Sequence, residues 1–356
     1  MKLSPTNKFE RSPVYTNQKL INAVYAAASA LGMSGWALLE KAKLTYLVKD
    51  RQAPYSGLPI EQLPSLTDQE KALIATALSP APPPVAPAPR KPLQGKGFYI
   101  WQIANCEGGD SAAIAAKAQE ARLSHVLIKI AHGPEPYRYN ISTGNDRVAP
   151  LVAALRALGA DFQVWGWQYT FGETPEAEAQ IATTLVQQYG LDGFVINAEV
   201  EYKRKDGASR ATRYVEALRQ RLQAANLTDL PVALSSYRYP YSHQEFPWAP
   251  FLSACTLIMP QVYWVTRGTP DPPGNLQRSL QEYHDLGWSG CIVPTGAAYD
   301  EWQKASDGSK WLWQTTPEQI AAFLPAVRQA ELPAVNFWCW DQADAARWAA
   351  VAEFEW

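Results

Sequence analysis

Two hydrophobic periods alternate through residues 97–356, and few folds accommodate that alternation. Short apolar runs of strand length recur: "GFYIWQI", "HVLIKIA", "FQVWGWQY", "GFVINAEV", "PVALSSY", "LIMPQVYW", "CIVPTGAA" and "VNFWCW". Helical patterns such as "SAAIAAKAQEARL", "RVAPLVAALRALG", "EAEAQIATTLVQQYG", "ATRYVEALRQRLQAA" and "PEQIAAFLPAVRQA" lie between most of them. Eight strands with intervening helices fit a (β/α)8 barrel, and about 260 residues is near the usual size. A doubly wound sheet is the alternative, but it wants a glycine-rich phosphate loop after its first strand. "IANCEGGD" does not supply one, so the barrel is preferred.

Upstream the chain changes character. "PAPPPVAPAPRKP" at 80–92 is extended, semi-rigid Pro/Ala-rich sequence. Before it, Thr16 and Ser34 are expected to cap helices, the first carrying Leu20, Ile21, Val24, Tyr25 and Leu31, the second Trp36, Leu39 and Leu44. "TDQE" at 67–70 reads as a capping box opening a third. The fold class is therefore α/β. A small all-α docking or binding domain (1–79) and a linker (80–96) precede a TIM barrel (97–356). The helical segment carries no catalytic constellation and suits contact with a protein assembly or cell wall.

A net charge of −2 gives no general electrostatic case for nucleic-acid binding. The cysteines, Cys106, Cys255, Cys291 and Cys339, form no CxxC pair. They read as buried free thiols, with Cys291 and Cys339 as candidate neighbours, and give no zinc spacing. No metal or cofactor is expected. "MKLSPTNKFERSP" lacks the apolar core of a signal peptide, and no run is long enough to span a membrane. Synthesis in the cytoplasm is expected, with any export by lysis or carriage on a phage-like particle.

A barrel assembles its site at the C-terminal ends of its strands. Those ends carry Trp101, Trp167, Gln168, Asn197, Glu199, Glu201, Tyr237, Gln261, Tyr263, Trp264, Tyr299, Trp338 and Asp341. Much of an excess of 14 Trp and 17 Tyr thus collects at one face. Aromatics mixed with amides and carboxylates suit sugars, whose rings offer apolar C–H faces and hydroxyls, although any single Trp can equally seal a barrel end. Long connections after strands five, six and seven lie on the same face. There is no G-x-S-x-G elbow, H-E-x-x-H or Walker loop. His125, His132, His243 and His284 form no recognisable ligand set, although His132 is placed to enter the cleft.

"LDGFVINAEVEYK" at 191–203 resembles the D-G-x-x-x-D-x-E motif of family 18 chitinases through Asp192, Gly193 and Glu199. Val195 and Asn197 depart from its acidic positions, and the N-x-E pair is closer to family 85 endo-β-N-acetylglucosaminidases. "PQVYW" is similar to the chitinases' sixth strand, with Trp264 replacing the acid, and "VNFWCWD" looks like their last, with Trp338 as pocket floor. "GFYIWQIANCEGGD" and "HVLIKIAHG" look like the first strands of family 25 lysozymes, without that family's early acid.

The resemblances imply a glycosidase acting on polysaccharide containing N-acetylhexosamine, with peptidoglycan the favoured substrate and chitin or N-glycan cores also open. Glu199 would be the acid/base, with Asn197 and Tyr263 holding the acetamido group in substrate-assisted catalysis. A carboxylate pair with Glu201 or Asp341 is the alternative mechanism. Trp101, Trp167, Gln168, Glu201, Tyr237, Gln261, Trp264, Tyr299, Trp338 and Asp341 would bind substrate. The departures at Val195, Asn197 and Trp264 motivate a different class of function, a non-catalytic glycan-binding or structural barrel.

Overall fold

The computed structural model describes residues 17–31, 33–51, 53–78, 92–304 and 308–356. The expected cap at Thr16, the N-terminal "MKLSPTNKFERSP" and nearly all of the Pro/Ala-rich segment lie outside the described residues. The chain divides into two compact units, with the boundary between Ala88 and Pro89.

The first unit packs α1 (Asn17–Ala30), α2 (Gly35–Lys41) and α3 (Asp68–Leu78). Leu20, Val24, Leu38, Leu39, Leu47 and Ile74 form its core. Tyr25 and Trp36, expected on the apolar faces, are instead 44% and 46% exposed. At 100° per residue Tyr25 lies off the stripe of Leu20, Val24 and Ala27, so alanines take the place expected of the ring. Ser34 occupies the N-cap of α2 without a side-chain hydrogen bond. The capping box of α3 is formed. Glu70 N donates to Thr67 Oγ1 (3.3 Å) and Thr67 N to Glu70 Oε2 (2.8 Å). Lys41 donates to both oxygens of Glu70 and is the main reason its carboxyl titrates low.

The second unit is a closed barrel of parallel strands: β1 (Gly95–Ile100), β2 (His125–His132), β3 (Gln163–Thr170), β4 (Gly193–Ala198), β5 (Val232–Tyr237), β6 (Leu257–Gln261), β7 (Thr295–Ala297) and β8 (Ala334–Trp338). Each strand pairs with its sequence neighbours, and β8 closes on β1 through Gly95↔Ala334 to Phe98↔Phe337. The first strand starts at Gly95, two residues inside the stretch read as linker. One helix follows each strand: α4 (Ser111–Glu120), α5 (Val148–Arg156), α6 (Pro175–Tyr189), α7 (Gly207–Ala224), α8 (Trp248–Ala254), α9 (Pro272–Asp285), α10 (Pro317–Gln329) and α11 (Ala345–Glu353).

Strand alternation sorts the side chains into two cores. Phe98, Ile100, Val126, Ile128, Phe194 and Ile196 join the helices outside. Tyr99, Leu127, Trp165, Trp167, Val195 and Met259 fill the barrel. Two glycines make room for the large interior rings. A Cβ at Gly97 would sit 2.1 Å from His125 Nε2, and one at Gly193 would sit 2.4 Å from the Trp165 ring. The segment after β7 is an antiparallel hairpin, Asp300–Lys304 against Lys310–Gln314, rather than a plain loop. The cysteines are all free. Cys291 is exposed, against the expectation of burial.

Candidate active site

The site is built where β4 ends. Thr170 on β3 donates to the carbonyl of Asn197, and Ser236 on β5 to that of Ala198 (2.7 Å). These two bonds tether the end of the strand from both sides. Asn197 points into the barrel, and Glu199, the next residue on that side, follows it at the mouth, partly accessible to solvent.

One carboxylate oxygen of Glu199 is held by two amides. Asn197 Nδ2 donates to Oε1 at 2.8 Å and Gln261 Nε2, from the end of β6, at 2.9 Å. Gln261 also lies 3.5 Å from Ser235 Oγ. Among the described residues no donor is recorded on Oε2. A carboxyl group so placed has one oxygen fixed and the other free to carry a proton towards the cleft.

The strand does not continue to Glu201. It ends at Ala198, and Val200–Tyr202 form a short 3-10 turn. That turn carries Glu201 to Tyr169 on β3, whose hydroxyl lies 3.0 and 2.8 Å from the two carboxylate oxygens. Glu201 is therefore a half-buried partner of a tyrosine at the rim. Burial, then the charges of Glu199 and Glu201, push the phenol of Tyr237 up, as expected for a ring facing both carboxylates. Tyr237 stacks on His243 at 3.7 Å and carries Lys203 Nζ over its ring at 4.4 Å. Tyr263 packs edge-on to Tyr299 (5.4 Å), and burial keeps its phenol protonated, with Glu199 contributing.

The floor is aromatic. Trp338 touches Trp167 (5.4 Å), Tyr99 (5.7 Å) and Trp101 (6.2 Å). Trp167 is 1% exposed, so it supports the floor from below, and its indole N–H donates to Ile100 O. Asp341 receives the backbone N–H of Trp101 at 3.4 Å, and burial raises its carboxyl pKa.

Two expected cleft residues face the other way. Gln168 is fully buried between β3 and the helices, donating to Gly133 O and Glu178 O and accepting from Tyr214. It lies one residue out of phase with inward-facing Trp167 and Tyr169. Trp264 is fully buried against Phe323 of α10, with its N–H on Gln319 Oε1 (2.8 Å). The chain has left the strand by Val262, so strand parity no longer applies there. Asp192, the first residue of the motif in β4, lies at the opposite end of the barrel, where it accepts from Val164 N and pairs with Arg156.

The residues that sequence reading missed are Lys129, Tyr137, Tyr169 and Ser235. Lys129 and Tyr169 lie on the inward period of β2 and β3, a signal available from alternation alone. Tyr137 comes from the segment after β2, which no strand pattern points to. Among the described residues no group of three or more His, Cys, Asp or Glu is arranged to hold a metal, and no helix is long and apolar enough to cross a membrane.

No family model matches the sequence, and no curated protein matches it. Solved structures do. A class V chitinase from Nicotiana tobaccum superposes with TM-score 0.56 at 11% identity, covering 74% of this chain and 100% of that one. A family 18 chitinase from Cycas revoluta, solved with allosamidin, gives 0.54 at 10%, covering 72% and 98%. The spore cortex-lytic enzyme SleL of Bacillus cereus gives 0.52 at 9%, covering 74% of each chain. At such identities the likeness is one of fold, and the fold is the (β/α)8 barrel.

Proposed function

We propose that this chain is a glycosidase that hydrolyses polysaccharide containing N-acetylhexosamine, with peptidoglycan as the favoured substrate. One observation carries the reading. Glu199 stands at the C-terminal mouth of the barrel, one oxygen clamped by Asn197 and Gln261 and the other free, above an aromatic floor. A glycan-binding barrel without catalysis has no need of such a carboxyl group. The barrel likeness to two chitinases and a cortex-lytic enzyme supports the same class.

In the proposed reaction Glu199 donates its proton to the glycosidic oxygen as the C–O bond breaks. The acetamido carbonyl of the same sugar attacks the anomeric carbon and forms a cyclic oxazolinium. Glu199, now a carboxylate, takes a proton from the water that opens that ring, and the hemiacetal product leaves. Asn197 and Tyr263 are the groups proposed to hold the acetamido group, and Trp338 the sugar's apolar face. Glu201, bound to Tyr169, is assigned to the rim and to substrate contact.

Incubation with purified cell wall, chitin oligomers and glycoprotein, followed by assay of new reducing ends, tests the reading. Release from one class and not the others names the substrate. No release from any of them, with glycan still bound, favours the non-catalytic barrel.

A further inference from the structure

Lys129 is a buried cation that the proposed hydrolysis does not use. It is 4% exposed and projects from β2 into the barrel mouth. Its ammonium sits over three rings, Tyr137 (4.4 Å), Trp167 (4.5 Å) and Tyr169 (5.8 Å). No ion pair within 4.0 Å joins it to a carboxylate among the described residues. Aromatic faces attract a cation, but they compensate only part of the lost hydration. A buried charge normally has an anionic partner.

The side chain also opens onto free space. A cavity of about 890 Å³ is lined by Trp101, Lys129, His132, Tyr137, Arg138 and Tyr139, among others. Arg138 adds a second cation to its wall and Glu135 an anion. His132 is held towards its neutral form by partial burial and by Lys129 and Arg138. Burial lowers the Lys129 pKa to about 8, the charge of Glu199 opposing that shift, so the group remains largely cationic at neutral pH. Among the described residues, the wall therefore offers at its buried end a cation with no carboxylate within 4.0 Å, beside the Trp101 edge of the sugar floor.

We propose that Lys129 anchors a subsite for a carboxylate carried by the glycan, so that this cleft prefers acidic N-acetylhexosamine polymers to neutral ones. The proposal rests on the glycan-cleft reading above. The carboxylate has two possible sources, the lactyl group of a muramic acid or the acid groups of an attached peptide. Both present the same chemistry to an ammonium.

The test is binding to the full chain in a Glu199→Gln background, which preserves the ligand and removes the charge that faces Lys129. Calorimetry compares three tetrasaccharides. One is neutral N-acetylglucosamine, one alternates it with N-acetylmuramic acid bearing free carboxylates, and one carries stem peptides on its muramic acids. Adding Lys129→Met, which keeps the apolar stem against the rings, should lower the acidic-to-neutral affinity ratio on the order of 10–100-fold, the worth of a charged hydrogen bond. Lys129→Arg should hold the ratio within a few-fold. A fall with the bare lactyl ligand places the sugar's own acid in the subsite, and a fall only with the peptide-bearing ligand places the peptide's. An unchanged ratio for both acidic ligands overturns the subsite while the glycan reading stands. Failure of the Lys129-containing protein to bind all three overturns both.

Discussion

Glu199 is the residue on which the functional reading turns, and its neighbours separate chemistry from packing. Glu199→Gln is nearly isosteric, and the amide can still accept the bonds of Asn197 and Gln261, so the fold should survive. It cannot deliver a proton to a poor leaving group. General acid–base assistance is worth roughly 10²–10⁴-fold, so turnover should fall by about that much in a reducing-end assay while glycan binding persists. Full activity in that variant would remove Glu199 from the mechanism. Glu201→Gln should do far less, because its carboxylate is occupied by Tyr169. Asn197→Ala should reduce kcat more than it raises KM, since it frees both the Glu199 oxygen and the internal nucleophile. A KM effect alone would make Asn197 a binding residue only.

At the scale of elements, the barrel positions Glu199 by ending β4 between two tethered carbonyls and turning the chain at Val200. This turn explains why alternation, which places Asn197 correctly, does not extend to Glu201. Local chemistry within one turn is legible at α3 but not at Ser34, whose side chain makes no capping bond. "TDQE" forms its capping box, and Thr67→Ala should lower the stability of the helical unit by about 1 kcal/mol, the usual worth of such a cap. Denaturant melts would show it, and no change would mean the Lys41–Glu70 pair alone fixes that end. Gln168 and Trp264 depart from the sequence expectation for different reasons. The first is out of phase with inward-facing Trp167. The second follows the strand end, where only the packing against Phe323 decides its direction.

For the molecule as a whole, burial sets an acid limit. His125 is fully buried on Asn336 and Ser124, and burial lowers its pKa from 6.5 to about 4. Between those values the unfolded chain binds a proton that the folded chain refuses, so stability falls as pH drops from about 6.5 towards 4 and levels off below. The loss is on the order of 3 kcal/mol. Thermal melts of wild type and His125→Gln should show that pH slope in the first and a shallower one in the second, and equal slopes would contradict it. Residues 92–356 contain the whole barrel and its closure. Expressed alone they should unfold cooperatively and cleave soluble oligomers at the full-chain rate. Reduced action on insoluble wall would then assign the helical unit to docking, and undiminished action would remove that role from it.

The sequence by itself determined the periodicities, and with them the order of strands and helices, the two-part organisation and the strand-end position of Asn197 and Glu199. Those properties depend on residues close together in the chain, where φ/ψ preference and side-chain alternation act. Only the tertiary structure decided which groups meet across the barrel. Gln261 lies 62 residues from the Glu199 oxygen it holds, and Lys129 meets Trp167 only because strands two and three are packed side by side. Closure of the sheet brings these side chains into one desolvated volume, and no local signal in the chain encodes that volume.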